Sequence, residues 1–200
     1  EEGATFTLTN VPIALRMGDT QLLAEKCNTE VIPADAVNLE DLEHLIIRSM
    51  EVLGGKLDFI LHSIGMSPNV RKGRHYSDLD YDFLAKTLDV SALSFHKVLQ
   101  TARKLDALNQ WSSVLALSYV AAQRTFYGYN DMADAKSLLE SIARSFGYIY
   151  GRERNVRINT ISQSPVHIST LSISLCLDNT FEIFSGFPYS SGDKLISTKE

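Results

Sequence analysis

Apolar and polar positions follow two rhythms along this 200-residue chain. Thr5–Thr9 alternates with the period of a strand and stops at Asn10 and Pro12. Ile13–Lys26 reads as a helix with Leu15, Leu22 and Leu23 near one face, and Glu30-Val31-Ile32 as a short strand. Asn38 is placed to cap a helix over Leu39–Leu53, which Gly54-Gly55 ends. Leu57–His62, Leu-Asp-Phe-Ile-Leu-His, reads as a buried strand. A polar loop over Ser67–Ser77 follows, with Pro68, Gly73 and the basic Arg71, Lys72 and Arg74. The pattern then predicts a long helical stretch over Leu79–Lys104, bent near Asp89–Ser91, and a strand over Ser113–Ser118. The clearest helix is Tyr129–Phe146, with Met132, Ala135, Leu139, Ile142, Ala143 and Phe146 on one side; Val156–Ile161 is a further strand.

Strands separated by helices of this length imply βαβ units. The expected fold class is α/β, a doubly wound, mostly parallel Rossmann-type sheet with right-handed crossovers. No repeat or low-complexity linker divides residues 1–165, which are expected to form one domain. From Val166 the character changes: His167–Leu177 carries no Lys, Arg, Asp or Glu and shows no helical period. Residues 166–200 are therefore expected to be a tail foreign to the preceding fold, such as a frame shift produces. The chain opens on Glu1-Glu2-Gly3 and runs directly into a strand, which suggests that residues are missing upstream.

Composition narrows the function classes. A net charge of −5 argues against a nucleic-acid binder, which needs a basic face. No run approaches the ~18 apolar residues of a membrane span, and no signal peptide is present, so a cytoplasmic protein is expected. Cys27 and Cys176 have no metal-ligand spacing, and the five histidines lack the pairing of a metal site; structural or surface roles are expected for them.

The candidate chemistry lies between Ser118 and Lys136. A core strand ends at Ser118-Tyr119, a loop follows, and Tyr129 opens a helix. Lys136 comes seven residues later, two helical turns or about 10 Å along the axis, so phenol and ammonium share a face. At the carboxyl end of a parallel sheet, that pair lies where such folds bind ligands. An ammonium there can hold ribose hydroxyls and favour ionisation of the phenol. The phenol can donate a hydrogen bond to a carbonyl oxygen as negative charge builds on it. By itself the spacing is weak, since Tyr and Lys meet by chance on many helices.

Tyr129-x6-Lys136, with Ser118-Tyr119 upstream, resembles the NADH-type enoyl-[acyl-carrier-protein] reductases, divergent members of the short-chain dehydrogenase/reductase superfamily. Most of that superfamily uses Tyr-x3-Lys, and the residue four before Lys136 is Met132. Further segments are similar to the family in order. Phe6–Asn10 resembles its second strand, Ala34-Asp35-Ala36 its adenine turn, His62–Met66 the end of its fourth strand, and Arg157–Pro165 its sixth strand. The resemblance implies NADH-dependent reduction of a trans-2-enoyl thioester carried on acyl carrier protein, in fatty-acid elongation. It implies catalytic roles for Tyr129, Tyr119 and Lys136, and a substrate site that includes Ser67 and Tyr119. It also implies cofactor contacts at Thr9, Asp35 and Ala36, at Ser63, Ile64 and Gly65, at Lys136, and at Pro165 and Val166.

Thr9 and Asn10 stand where NAD-binding folds often carry an acid, and no arginine adjoins them, so the residues leave NADPH open. The family's usual homotetramer is implied as well, and Ala133, Ala135 and Leu139 suit either a subunit contact or the monomer core. The family's first strand and glycine-rich turn do not occur in these 200 residues. Without that central strand, unpaired backbone groups at about 1–3 kcal/mol each compete with a stability of about 5–15 kcal/mol. The chain is therefore expected neither to fold stably alone nor to turn over. The alternatives are a short-chain reductase for ketones or 3-oxoacyl thioesters, and a non-catalytic fragment.

Overall fold

A computed structural model describes residues 3–163 of the chain. Pro165, Val166 and the predicted foreign tail lie outside the described residues. The elements in order are α1 (Pro12–Leu15), α2 (Asp19–Cys27), α3 (Leu39–Leu53), β1 (Leu57–His62) and α4 (Pro68–Arg71). They continue with a 3-10 turn (Tyr76–Asp78), α5 (Tyr81–Leu88), a π-helical turn (Asp89–Leu93), α6 (Ser94–Lys104) and β2 (Leu108–Tyr119). A second 3-10 turn (Val120–Ala122), α7 (Asp131–Arg154) and β3 (Arg157–Gln163) complete them.

The three strands form a parallel sheet in the order β1-β2-β3, as βαβ connections require. In register, Ile60 pairs with Val114 and Val114 with Ile158, and all three point to the face that α7 covers. Phe95, Leu99, Val114, Ala116, Ala135 and Leu139 fill the space between, each fully buried. α3 packs on α6 as an outer layer. Phe59, Leu61 and Ile161 alternate onto the opposite sheet face and are 53%, 46% and 45% exposed, so the core described here is one-sided.

Local signals explain most of the elements. Asn38 caps α3, its Oδ1 accepting from the Glu40 and Asp41 amides at 2.9 and 3.4 Å, and Gly54 ends the helix at φ 76°. Asp80 caps α5 through the Asp82 and Phe83 amides. The predicted bend near Asp89 is the π turn, where a wider backbone loop aims Ser91 at the end of β1: its hydroxyl accepts from the Met66 amide at 2.8 Å and donates to the Met66 carbonyl at 2.9 Å.

Three expectations change. Thr5–Thr9 and Glu30–Ile32 do not form named strands; they meet only in a parallel bridge between Leu8 and Val31. The Leu8 amide donates to the Glu30 carbonyl at 2.9 Å and the Ile32 amide to the Leu8 carbonyl at 2.8 Å. With one pairing and no third strand, a ladder does not extend. The helix expected over Ile13–Lys26 is split at Gly18, whose φ of 87° no α-helix contains; Leu22 is exposed and Ala24 is the residue α2 buries. The strand expected over Ser113–Ser118 starts earlier, at Leu108, through an irregular stretch where Trp111 is 65% exposed at φ 67° and the register with β1 slips between Leu57 and Phe59.

Candidate active site

β2 delivers Tyr119 to the carboxyl edge of the sheet, and the segment after it folds back so that Tyr129 enters α7 beside it. The two rings lie 4.5 Å apart at 34°, and Phe126 meets Tyr119 edge-on at 5.7 Å. Tyr119, Tyr129, Val70, Ala121 and Met132 make a small apolar cluster separate from the main core. Gly128 and Asn130 flank Tyr129 at φ 81° and 47°, so the ring is set by two left-handed residues and not by regular helix. The Asn130 side-chain amide donates to the Arg74 carbonyl, which ties this turn to the loop after α4.

Lys136 lies two turns into α7, 5% exposed, and donates to the Leu117 carbonyl at 2.7 Å. Burial lowers its pKa to about 8. The Tyr129 phenol is pushed up by burial and, secondarily, by Tyr119. This corrects the expectation that the ammonium draws the phenol toward ionisation: desolvation wins, and Tyr129 is a neutral hydrogen-bond donor.

Ser63, Ile64 and Gly65 are half-buried at the end of β1. A Cβ on Gly65 would lie 3.3 Å from Met132 Cε and 3.6 Å from Lys136 Nζ, so the bare backbone is what lets this strand end approach α7. Just before it, His62 is buried against Phe95 at 5.0 Å, with Nε2 2.9 Å from Ser94 Oγ and no hydrogen-bond partner for Nδ1 among the described residues. Burial, aided by the charge of Lys136, lowers its pKa to about 3.

The other expected residues are distributed differently. Thr9 is exposed, and the neighbouring Asn10 donates to Thr20 Oγ1 at 3.1 Å. Asp35 closes its own turn, Oδ1 accepting from the Val37 amide at 3.1 Å, with Ala36 half-buried within that turn. Lys97 joins the turn to the π region, donating to the Val37 carbonyl at 3.0 Å and pairing with Asp89 at 2.6 Å. Ser67, expected at a substrate mouth, is fully buried: its hydroxyl donates to Asp131 at 2.6 Å and accepts from the Val70 amide at 3.0 Å. Ala135 and Leu139 belong to the monomer core, and Ala133 packs on the tyrosine cluster.

Two acids escaped the sequence reading. Glu140, 8% exposed, accepts from Ser118 Oγ at 2.7 Å and Gln123 Nε2 at 3.2 Å, and so fastens α7 to the strand end that carries Tyr119. Its i, i+4 spacing from Lys136 on an otherwise apolar face was the available signal. Asp131 is fully buried among Ser67, Asn69 and Thr87. In sequence it reads as an ordinary acid at a helix start. Among the described residues, no group of His, Cys, Asp and Glu could hold a metal ion, and no helix is long and apolar enough to cross a membrane.

A parallel sheet layered with helices, carrying at its carboxyl edge a tyrosine in the turn before a helix and a lysine on that helix, defines a Rossmann-type α/β protein of the short-chain reductase kind. Residues 1–175 match the family described as Enoyl-(Acyl carrier protein) reductase, and the chain belongs to that family. It is 32% identical over 174 residues to enoyl-[acyl-carrier-protein] reductase [NADH] 1 of Rhizobium meliloti, covering 87% of this chain and 62% of that protein. With the Rickettsia bellii enzyme of the same name, FabI, identity is 36% over 159 residues, covering 78% and 58%. A crystal structure of FabI from Alistipes finegoldii superimposes with a TM-score of 0.80 at 72% identity, covering 82% of this chain and 61% of that one; its NADH complex gives the same score and identity. The chain thus spans less than two thirds of the length of these relatives.

Proposed function

We propose that these residues form the catalytic region of an NADH-dependent enoyl-[acyl-carrier-protein] reductase, which saturates the trans-2 double bond of a carrier-bound acyl thioester. The observation that carries the reading is the assembly of Tyr129, Tyr119, Lys136 and the Gly65 backbone at one sheet edge. Gly65 lets the end of β1 come close to Lys136, so a dinucleotide lying along this edge would meet backbone and ammonium together. Lys136 Nζ, desolvated and tethered by one hydrogen bond, keeps donors for the hydroxyls of the nicotinamide ribose. Bound NADH supplies the hydride that the β-carbon of the substrate receives. Electron density then moves to the thioester oxygen, and the neutral Tyr129 phenol donates to that oxygen as it becomes an enolate. Tyr119, stacked on Tyr129, walls the acyl site and excludes water.

Ser63 and Ile64 reach the middle of the cofactor, and the Asp35–Ala36 turn and Thr9 its adenosine end; Pro165 and Val166, outside the described residues, are cofactor contacts by family resemblance. Asp35 serves there through backbone and turn shape, since its carboxylate already accepts from Val37. The family relatives named for NADH support that cofactor over NADPH. The setting proposed is the cytoplasm, the partner an acyl carrier protein, and the assembly a homotetramer. The test is consumption of NADH with crotonyl thioester by a full-length enzyme that contains these residues, and by its Tyr129→Phe variant. Turnover should fall about 100–10,000-fold in the variant. Parental turnover that is unchanged in Tyr129→Phe, or that uses a 3-oxoacyl thioester instead, overturns the reading.

A further inference from the structure

Asp131 is the first residue of α7 and fully buried, yet it has no place in the chemistry just described. Its carboxylate is gripped by three side chains from two elements, the capped start of α4 and the end of α5. Ser67 Oγ donates to Oδ1 at 2.6 Å, and Asn69 Nδ2 and Thr87 Oγ1 reach Oδ2 at 2.9 and 2.8 Å. Ser67, Asn69 and Thr87 are themselves fully buried. Asn69 is held in turn by Asp80, donating to its carbonyl at 3.1 Å and accepting from its amide at 3.0 Å. A carboxylate held at both oxygens is fixed in position and direction, because displacing it leaves the buried Ser67 hydroxyl and one Asn69 amide proton unsatisfied; Thr87, whose single hydroxyl proton also faces the Phe83 carbonyl at 2.8 Å, holds it less firmly.

What this fixes lies one peptide away. Asn130 sits at φ 47°, ψ −133°, a region that side chains with a Cβ rarely enter, and it joins Tyr129 to Asp131. Strained backbone of that kind persists only where its surroundings over-determine it. Here the Asn130 side chain is tied to the Arg74 carbonyl and the following residue is anchored by the carboxylate network. We propose that Asp131 is a positioning residue whose buried carboxylate clamps the loop after β1 to the start of α7 and holds the strained Asn130 turn that aims Tyr129. The inference rests on the enoyl-reductase reading for its catalytic consequence and on geometry alone for the clamp.

Asp131→Asn keeps the shape but turns one acceptor into a donor facing Asn69 or Ser67; Thr87→Val removes one partner with no change of charge and guards against a variant that fails to fold. A full-length enzyme that contains these residues is prepared with isotope-labelled tyrosine, and Tyr129→Phe assigns the Tyr129 ring signal. Tyr150, at the far end of α7 with its hydroxyl on the Leu99 carbonyl, serves as the internal reference. Both variants should shift the Tyr129 signal, Asp131→Asn more, and leave Tyr150 in place. In turnover, Asp131→Asn should lower kcat about 10–100-fold with the KM for NADH unchanged. An unmoved Tyr129 signal, or Tyr129 and Tyr150 shifting together, overturns the clamp. A shifted Tyr129 with parental kcat overturns its catalytic role. A full-length parental enzyme that reduces no enoyl thioester overturns the functional reading, while the ring signals still decide the clamp.

Discussion

The two halves of α7 make opposite uses of burial. Its first half buries Asp131, Lys136 and Glu140, each held by a hydrogen bond to another part of the chain. Its second half buries no charged residue, only Ala143, Phe146 and Tyr150 in the main core that Ala135, Leu139 and Ile142 of the first half also join, and its ion pairs, such as Arg103–Glu153, stay at the surface. Apolar burial stabilises at roughly 25 cal/mol per Å². A desolvated lysine instead costs stability, and the cost is retained where the group must meet a ligand. One helix therefore serves as ballast at one end and as a holder of reactive groups at the other.

That contrast breaks first at Lys136. Lys136→Met should abolish most turnover, by about 100-fold or more, and yet raise stability by about 1–2 kcal/mol at neutral pH, the desolvation relieved less the bond to Leu117 lost. The sign follows from linkage. Lys136 holds its proton to about pH 8 when folded and to 10.5 when unfolded, so the unfolded chain binds more protons in between. Parental stability should rise with pH across that window, and thermal melts of the methionine variant should lack the rise. Leu139→Ala probes the core facing these groups, where the residue is fully buried: a loss of about 2–5 kcal/mol is expected in denaturant titration, with little change in the activity of the protein that remains folded.

A smaller effect is expected at His62. Its pKa of about 3 against 6.5 when exposed means that the unfolded state takes up a proton first as pH falls. The stability it confers is complete above pH 6.5 and is lost progressively toward pH 3. His62→Gln should flatten acid unfolding over that range; an unchanged slope would place the titrating group elsewhere. Least of all, Arg103→Ala at the far end should scarcely move the melting temperature, and what shift there is should vanish with added salt, because the pair with Glu153 is solvent-exposed.

Legibility in the sequence followed the same division. The core side of α7 was visible as a helical stripe, Leu139 through Phe146, because the period of burial is imposed by the helix itself. The bend near Asp89 was visible too, though not that its π turn aims Ser91 at Met66. Near residue 8 the alternation was real but misleading, since strand-like residues form a strand only when neighbours pair with them. Ser67 was placed at a substrate mouth by resemblance, and its buried bond to Asp131 is a contact across 64 residues that no local pattern records.

The sequence by itself determined the α/β class and the order of the elements, which follow from local periodicity, and it set Tyr129 seven residues before Lys136. Tertiary structure alone decided the state of those groups. Burial keeps Tyr129 a neutral donor and brings Lys136 to about pH 8, and Asp131 became the anchor of the turn between them because Ser67, Asn69 and Thr87 converge on it. Spacing along a chain sets which side chains can share a face, whereas desolvation and hydrogen bonding depend on what else arrives there.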